Sequence, residues 1–370
     1  MLKYYTEFKR KFFSDIVAVP ATLQSSYYRP LDGLRGFAIL MMLLDHIGAN
    51  HYTRMWHWHI DTHLGVHLFF VLSGFLITTL LIKEKLKTGS ISLKRFYIRR
   101  VLRIVPLAYF FLVVVIVLNH YYRFGIPSFD FAASFLFLKN MPIPNVPLTA
   151  HFWSLAVEEQ FYLTFPFLLA ANINRYFYVA LSIVIIVPLV AILGSYQLIN
   201  THQPVVKLMM YLFWKGPIMI LIGSVASILL FKGILGPLPL SRYYLSGLIL
   251  FLTAIVIRNK HFIAYHPFIS EFVSNLILAH IVAACINSTD LLSIILKSRV
   301  LVGTGIISYS IYIWQELFIG THVWQPWLSS FSHLPLYLLM LVKLVLIFAI
   351  ALISYYFFES KLSKLRKKFR

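Results

Sequence analysis

The sequence predicts an all-α integral membrane protein, a bundle of about ten transmembrane helices, and three observations carry that expectation. Of 370 residues, 59% are hydrophobic and 12% charged, with a mean hydropathy of +0.78. A soluble fold has too little interior to hide that much apolar surface. Apolar runs close to the ~20 residues that cross a bilayer as helix recur along nearly the whole chain. The charges cluster beside those runs, most densely at Lys83 to Arg103 and Lys361 to Arg370.

Taken in order, residues 1–28 hold Lys3, Lys9, Arg10 and Lys11 but no long apolar run followed by a small-residue cleavage site. They read as a basic cytoplasmic or interfacial arm rather than a signal peptide. Residues 29–360 form one membrane domain, and residues 361–370 a basic cytoplasmic tail. Polar breaks divide the domain into spans near 34–50, 64–82, 104–120, 152–171, 176–195, 208–231, 243–257, 263–286, 300–320 and 335–358. With the amino terminus cytoplasmic, the loops after even-numbered spans are cytoplasmic too. These hold Lys83–Arg103, Arg175, Lys232, Lys297–Arg299 and the tail, as the positive-inside rule requires; the short Arg258-Asn259-Lys260 turn is the exception. Trp56, Trp58, Trp324 and Trp327 fall in outer loops, where interfacial aromatics belong. The expectation is a multi-pass protein of the cell membrane with both termini cytoplasmic.

This topology, together with anionic headgroups, accounts for the excess of 33 Lys and Arg over 13 Asp and Glu, a net charge of +20, without nucleic acid as a partner. Cys285 is the single cysteine, which excludes an intrachain disulfide or a Cys-based zinc site. No fixed-period repeat is visible, which disfavours an inverted-repeat transporter.

Ionisable groups inside a span are costly and default to functional candidates. Arg35 and His46 stand eleven residues apart, so on a helix they share a face with about 16 Å between them. Asp45 is rotated by about 100° from His46 and cannot simply orient that ring. A snorkelling arginine and a histidine bonded to a carbonyl would leave the same trace. Arg100 and Arg103 are one turn apart, with Arg99 at i−4 from Arg103. Such a comb suits bidentate binding of phosphate groups, such as the 3′-phosphate and pyrophosphate of coenzyme A. A positive-inside anchor explains it equally well. The adjacent Glu158 and Glu159 face different sides of a helix, so one is expected to point into the bundle. Glu158 is assigned that place, where it could position His46 or an acceptor hydroxyl. Glu359 is a comparable case at the cytoplasmic end.

Five histidines lie between His51 and His67, and His63 and His67 have the i, i+4 spacing that chelates metals on a helix. No carboxylate or cysteine completes a triad, and no metal is expected. His57 and Asp61 match the short His-x-x-x-Asp pattern of soluble CoA-dependent acyltransferases, but in a membrane loop that match carries no weight. No G-x-S-x-G elbow or phosphate-binding G-x-x-x-x-G-K-[ST] loop occurs.

Together these motifs resemble the membrane acyltransferase 3 family, whose members O-acylate lipopolysaccharide, exopolysaccharide, peptidoglycan, Nod factors and some antibiotics. The resemblance lies in Arg29–His46, Gly65–Ile77, Phe96–Pro106 and His151–Pro166, with weaker echoes at Ser308–Trp314 and Phe357–Glu359. It implies ten transmembrane helices, an Arg-x10-His motif on Arg35 and His46, and an Arg-x-x-Arg motif on Arg100 and Arg103. It also implies a cytoplasmic acyl-CoA donor, acetyl-CoA being commonest, and an acceptor on the opposite face. Some relatives carry an SGNH-type domain after the membrane unit. This chain ends in its basic tail, so it is expected to complete transfer itself or to hand the acyl group to a partner protein on the outer face. It departs from the family at His67, usually Asp, at Asp45, usually apolar, and at Gln315, His in many members.

The expected function is therefore a membrane O-acyltransferase that moves an acetyl group from acyl-CoA to a hydroxyl of a cell-envelope carbohydrate or glycolipid. His46 would be the general base, Arg35 would neutralise donor charge or the oxyanion, and Arg100 and Arg103 would hold CoA phosphates. The alternative is a transporter or flippase of a lipid-linked sugar or acyl group, without acyl-transfer chemistry.

Overall fold

The computed structural model describes residues 2–48, 63–142, 146–200, 202–214, 216–235, 246–258, 260–286, 290–319 and 335–368, and among these it is helical, with no strand. The principal helices are α1 (Leu2–Phe13), α2 (Arg29–His46), α3 (His63–Thr88), α4 (Leu93–Tyr122), α5 (Ser128–Phe135), α6 (Phe152–Ala171) and α7 (Ile173–Ser195). They continue with α8 (Pro217–Phe231), α9 (Ser246–Ile257), α10 (Pro267–Cys285), α11 (Arg299–Ile306), α12 (Ser308–Trp314) and α13 (Leu336–Ser354).

Among the described residues the expected spans fall mainly on helix, but fewer than ten of those helices are by themselves long and apolar enough to cross a membrane. Among the described residues, 5 helices are long and apolar enough to cross a membrane: α3, α4, α7, α10 and the stretch Leu336–Arg366 that begins with α13. A sixth is added if Pro204–Trp214 and α8, bent by 63° at their junction, count as one span. The physical reasons for the shortfall from ten are local. Helix α2 carries Arg29, Asp32, Arg35 and Asp45, and α6 carries Glu158, Glu159 and Gln160, so both are too polar. Helix α9 has 12 residues, about 18 Å of rise against a ~30 Å core. The expected 300–320 span is broken into α11, α12 and Glu316–Ile319. The chain is nonetheless a multi-pass helical membrane protein.

Two compact units divide the chain. Unit one comprises Met1–Ala38, Trp58–Ile91 and Phe161–Gly305, and unit two comprises Ile39–His57, Ser92–Gln160 and Ile306–Arg370. Helices α2 and α6 each contribute to both.

In unit one, α3 and α8 meet backbone to backbone. A Cβ on Gly74 would stand 1.9 Å from the Ile220 carbonyl oxygen, and one on Gly223 would stand 2.0 Å from that of Val71. Small residues permit this approach, and hydroxyl pairs add to it. Thr78 donates to Ser224 at 2.7 Å, Thr79 pairs with Ser227 at 2.8 Å, and the Tyr176 hydroxyl of α7 lies 2.9 Å from Ser224. The first half of α2 meets α11 in the same way. A Cβ on Gly36 would lie 2.0 Å from the Leu301 carbonyl, and one on Gly305 would lie 1.8 Å from that of Asp32.

The basic arm is a helix packed on this unit. The Phe12 ring is 5.3 Å from Phe177, and Lys232 donates to the carbonyls of Phe12 at 2.9 Å and Ser14 at 2.6 Å and to Asn174 Oδ1 at 2.9 Å.

Gly303 and Gly305 allow a paired test, because nothing stands within 4 Å of a Cβ on Gly303. Gly305→Ala is expected to lower stability by at least ~3 kcal/mol through backbone overlap. Gly303→Ala should leave it unchanged or raise it slightly. Thermal unfolding of both variants in detergent measures the difference.

Candidate active site

His46, Arg100, Arg103 and Glu158 all belong to unit two, on helices α2, α4 and α6 and in two of its three segments. The scaffold begins with the chain between α4 and α6, which is tied down by polar groups. Asp130, fully buried in α5, forms an ion pair with Lys139 and accepts from the Thr149 hydroxyl at 2.5 Å. Asn140 and Gln160 exchange amide hydrogen bonds at 2.8 and 2.9 Å, and Gln160 also donates to the Phe137 carbonyl at 3.0 Å. Two residues beyond Thr149, the His151 carbonyl accepts from the Tyr312 hydroxyl at 2.6 Å, and Ser154 pairs with that hydroxyl at 2.6 Å. The start of α6 is thereby fixed against α12.

A charged cluster forms where α4, α6 and α12 face one another. Arg100 and Arg103 lie within electrostatic reach of Glu159, and Glu158 lies beside it. Arg103 also faces Glu359, which accepts from Ser310. Tyr309 sits among Glu359, Glu159, Arg103 and Glu158, and its hydroxyl donates to the Ile104 carbonyl at 2.6 Å. The arginine comb therefore faces carboxylates from two other segments. Arg100 and Arg103 are both half-buried, and the Arg100 guanidinium lies 5.8 Å from the centre of the Phe96 ring. Both glutamates are half-buried as residues, but it is Glu159 whose Oε1 is sealed from solvent without a hydrogen-bond partner.

A second group, largely aromatic, lies away from this cluster. His46 ends α2, and its side chain is exposed. It is near enough to His151 for their charges to interact. The His151 ring is packed edge-on against Phe111, Phe152 and Tyr312 at 5.2, 4.9 and 5.4 Å. The Trp314 ring is 5.6 Å from Phe111, and Gln315 Nε2 lies 3.9 Å from Met42 Sδ, one turn before His46.

Arg35 belongs to unit one, half-buried and donating to Asp32 Oδ1 at 3.1 Å. His67 is in unit one as well. It lies 3.9 Å from Glu271 Oε1, and its Nδ1 is 3.5 Å from Asn275 Nδ2. Among the described residues no three His, Cys, Asp or Glu side chains converge as metal ligands. His51, His57, His59 and Asp61, like Trp56, Trp58, Trp324 and Trp327, lie outside the described residues.

The sequence profile of the acyltransferase 3 family, an acyltransferase domain, matches residues 29–358. The chain belongs to this family. O-acetyltransferase OatA of Staphylococcus aureus strain NCTC 8325 is 34% identical over 168 residues, covering 42% of this chain and 27% of OatA. The provisionally named O-acetyltransferase SACOL0978 of S. aureus strain COL is 28% identical over 375 residues, covering 91% of this chain and 58% of that protein. A similarly named protein of strain MSSA476, SAS0844, matches to the same extent. The chain thus spans well under two thirds of the length of these relatives. No solved structure matches it.

Within the acyltransferase 3 domain, sequence spacing selected His46, Arg100 and Arg103, but Glu159, His151, Tyr309 and Tyr312 went unselected. Adjacent glutamates carry no signal for which oxygen is sealed in, and the His151 ring differs from an ordinary core histidine only in three dimensions.

The Asp130 network is expected to hold this part of the domain in place. Asp130→Ala leaves the Lys139 ammonium buried and unpaired and should cost ~3–5 kcal/mol, whereas the double variant Asp130→Ala, Lys139→Met should recover most of that loss. Denaturant unfolding of the three proteins in detergent measures it.

Proposed function

We propose that this chain is a membrane O-acyltransferase that moves an acetyl group from acetyl-CoA to a hydroxyl of a cell-envelope carbohydrate or glycolipid, without a metal. Membership of the acyltransferase 3 family supports the reaction class. The observation that carries the reading is that His46, Arg100, Arg103 and Glu158, drawn from distant segments, belong to one compact unit.

In the proposed reaction, the neutral imidazole of His46 takes the proton of the acceptor hydroxyl as its oxygen attacks the thioester carbonyl. The tetrahedral intermediate collapses, the carbon–sulfur bond breaks, and the departing thiolate of CoA receives the proton. Exposure of His46 at the end of α2 leaves its ring open to substrate. Arg100 and Arg103 hold donor phosphates from the cytoplasmic face, their guanidiniums ordered beforehand by the surrounding carboxylates. Glu158 positions His46 or the acceptor hydroxyl. Arg35, steadied by Asp32, offsets donor charge or the developing oxyanion. Both termini are cytoplasmic in this arrangement, and a partner protein on the outer face receives the acyl group where the acceptor lies beyond reach of the membrane.

Purified protein in liposomes with radiolabelled acetyl-CoA is expected to release CoA and label added envelope glycolipid, and His46→Ala should slow transfer by about 100-fold or more. Equal transfer by wild type and variant removes His46 from the mechanism. Arg100→Ala and Arg103→Ala should each raise the KM for acetyl-CoA about tenfold while largely retaining kcat. Movement of glycolipid across the bilayer without CoA release would favour the flippase instead.

A further inference from the structure

Helix α1 is held to unit one by its carboxy-terminal end. The Phe12 ring lies 5.3 Å from Phe177 and 5.8 Å from Tyr178, and the Phe13 ring lies 6.1 Å from Tyr178. The Lys232 ammonium grips the Phe12 and Ser14 carbonyls, and the Asn174 amide donates to Asp15. Asn174, Phe177 and Tyr178 stand in the first two turns of α7, one of the 5 helices able to cross a membrane, and Lys232 follows directly on α8. The attachment therefore sits within about 8 Å of helix rise from the start of a span, where α7 enters the bilayer.

Beyond that attachment the helix presents two chemistries. Tyr5, Phe8 and Phe12 stand at i, i+3 and i+7 and share one face, with the Phe8 ring stacked on Phe12 at 5.7 Å. At Phe12 the face meets the protein, whereas Tyr5 and Phe8 are 64% and 50% exposed, as is Phe13 at 61%. Three large aromatics left uncovered on a helix of 12 residues form an apolar patch of the kind that marks an interaction surface. Lys9 and Lys11 flank the aromatic face, each within about 100° of its centre, and Arg10 lies opposite. Glu7 is the one acidic residue of the helix, and it pairs with Lys11 at 2.8 Å. Lys9 and Arg10 are exposed.

Charge and location together select the partner. An acidic protein segment would answer the cations at any distance from the membrane. The aromatic face instead continues from a ring already seated on a membrane span, which sets it at the depth where headgroups meet acyl chains. Flanking lysines lay their stems along such a face while their ammoniums stay in water. An apolar face at the acyl boundary and cations drawn to anionic headgroups are the two forces that hold an interfacial helix.

We propose that α1 docks on an anionic phospholipid surface, with Tyr5 and Phe8 entering the acyl boundary, Lys9, Arg10 and Lys11 drawn to the headgroup charge, and the grip on Phe12 and Ser14 serving as the hinge. On a neutral bilayer the hinge alone holds the helix; on an anionic one its whole length lies on the membrane. Docking involves neither acyl donor nor acceptor.

The test uses the full chain with Tyr5→Cys, an environment-sensitive fluorophore on the introduced thiol, in nanodiscs of phosphatidylcholine or of an equal mixture with phosphatidylglycerol. Cys285, the native thiol, is buried and stays unlabelled. Emission is expected to shift to the blue in the mixture and to stay that of a water-exposed probe in phosphatidylcholine alone. With Lys9→Gln and Arg10→Gln together, the ratio of docked to free helix should fall about 25-fold, about fivefold for each cation removed, and high salt should weaken docking of the parent protein. Both residues are exposed, so the melting temperature should be unchanged, which separates lost docking from lost folding. Emission indifferent to phosphatidylglycerol, or a blue shift undiminished by the two substitutions, overturns the proposal. A shift absent from both bilayers but produced by added polyglutamate overturns it in favour of an acidic protein partner.

Discussion

Lipid offers helices no hydrophobic reason to associate, because the acyl chains around them are as apolar as leucine. What holds such a bundle is close backbone approach and the mutual satisfaction of polar groups. Unit one relies on the first, at the Gly74–Gly223 and Gly36–Gly305 crossings, with the Thr78, Thr79, Ser224 and Ser227 hydroxyls turned toward one another beside the first. Unit two relies on the second, through Asp130 with Lys139 and Thr149 and the reciprocal amides of Asn140 and Gln160. Among the described residues, unit two keeps exceptions, among them buried atoms of Glu159, His151, Trp314, Gln315 and Ser354.

Those exceptions separate two kinds of environment along the same helices. Near Arg100 and Arg103, carboxylates and guanidiniums balance one another, so an anionic group entering there exchanges one ionic neighbour for another and avoids meeting a bare surface charge. About eight residues on from Arg103 in α4 and eight before Glu159, just ahead of α6, roughly 12 Å of helix rise, the surroundings become aromatic and mostly uncharged at Phe111 and His151. The proposed donor, with a phosphorylated end and a reactive thioester some distance from it, and the proposed acceptor, made of hydroxyls, have opposite needs. This gradient suits both.

The position of the helices was legible in hydropathy, and the candidate cations in their spacing. The breaks within the helices were not, because an apolar run says nothing about where a helix is interrupted, as around Ile307 and Gln315. The block around Arg29–His46 illustrates a second limit. Its arginine and histidine were read as chemistry, whereas Gly36 serves packing against α11, and the sequence alone does not distinguish a glycine kept for a substrate from one kept for a neighbouring backbone. Glu158 and Glu159 illustrate a third. Their difference is a rotation of about 100° about a helix axis whose orientation is set by distant contacts.

Lys232 makes three hydrogen bonds to oxygens, two of them main-chain carbonyls at Phe12 and Ser14. A carbonyl is present whatever side chain its residue bears. That part of the attachment is consequently indifferent to the identity of the residues in the arm and sensitive to the residue that grips it. The main-chain share of the grip therefore tolerates changes of side chain along the arm, and so of its affinity for different headgroups, while the Phe12 ring against Phe177 and Asp15 with Asn174 hold particular residues in place.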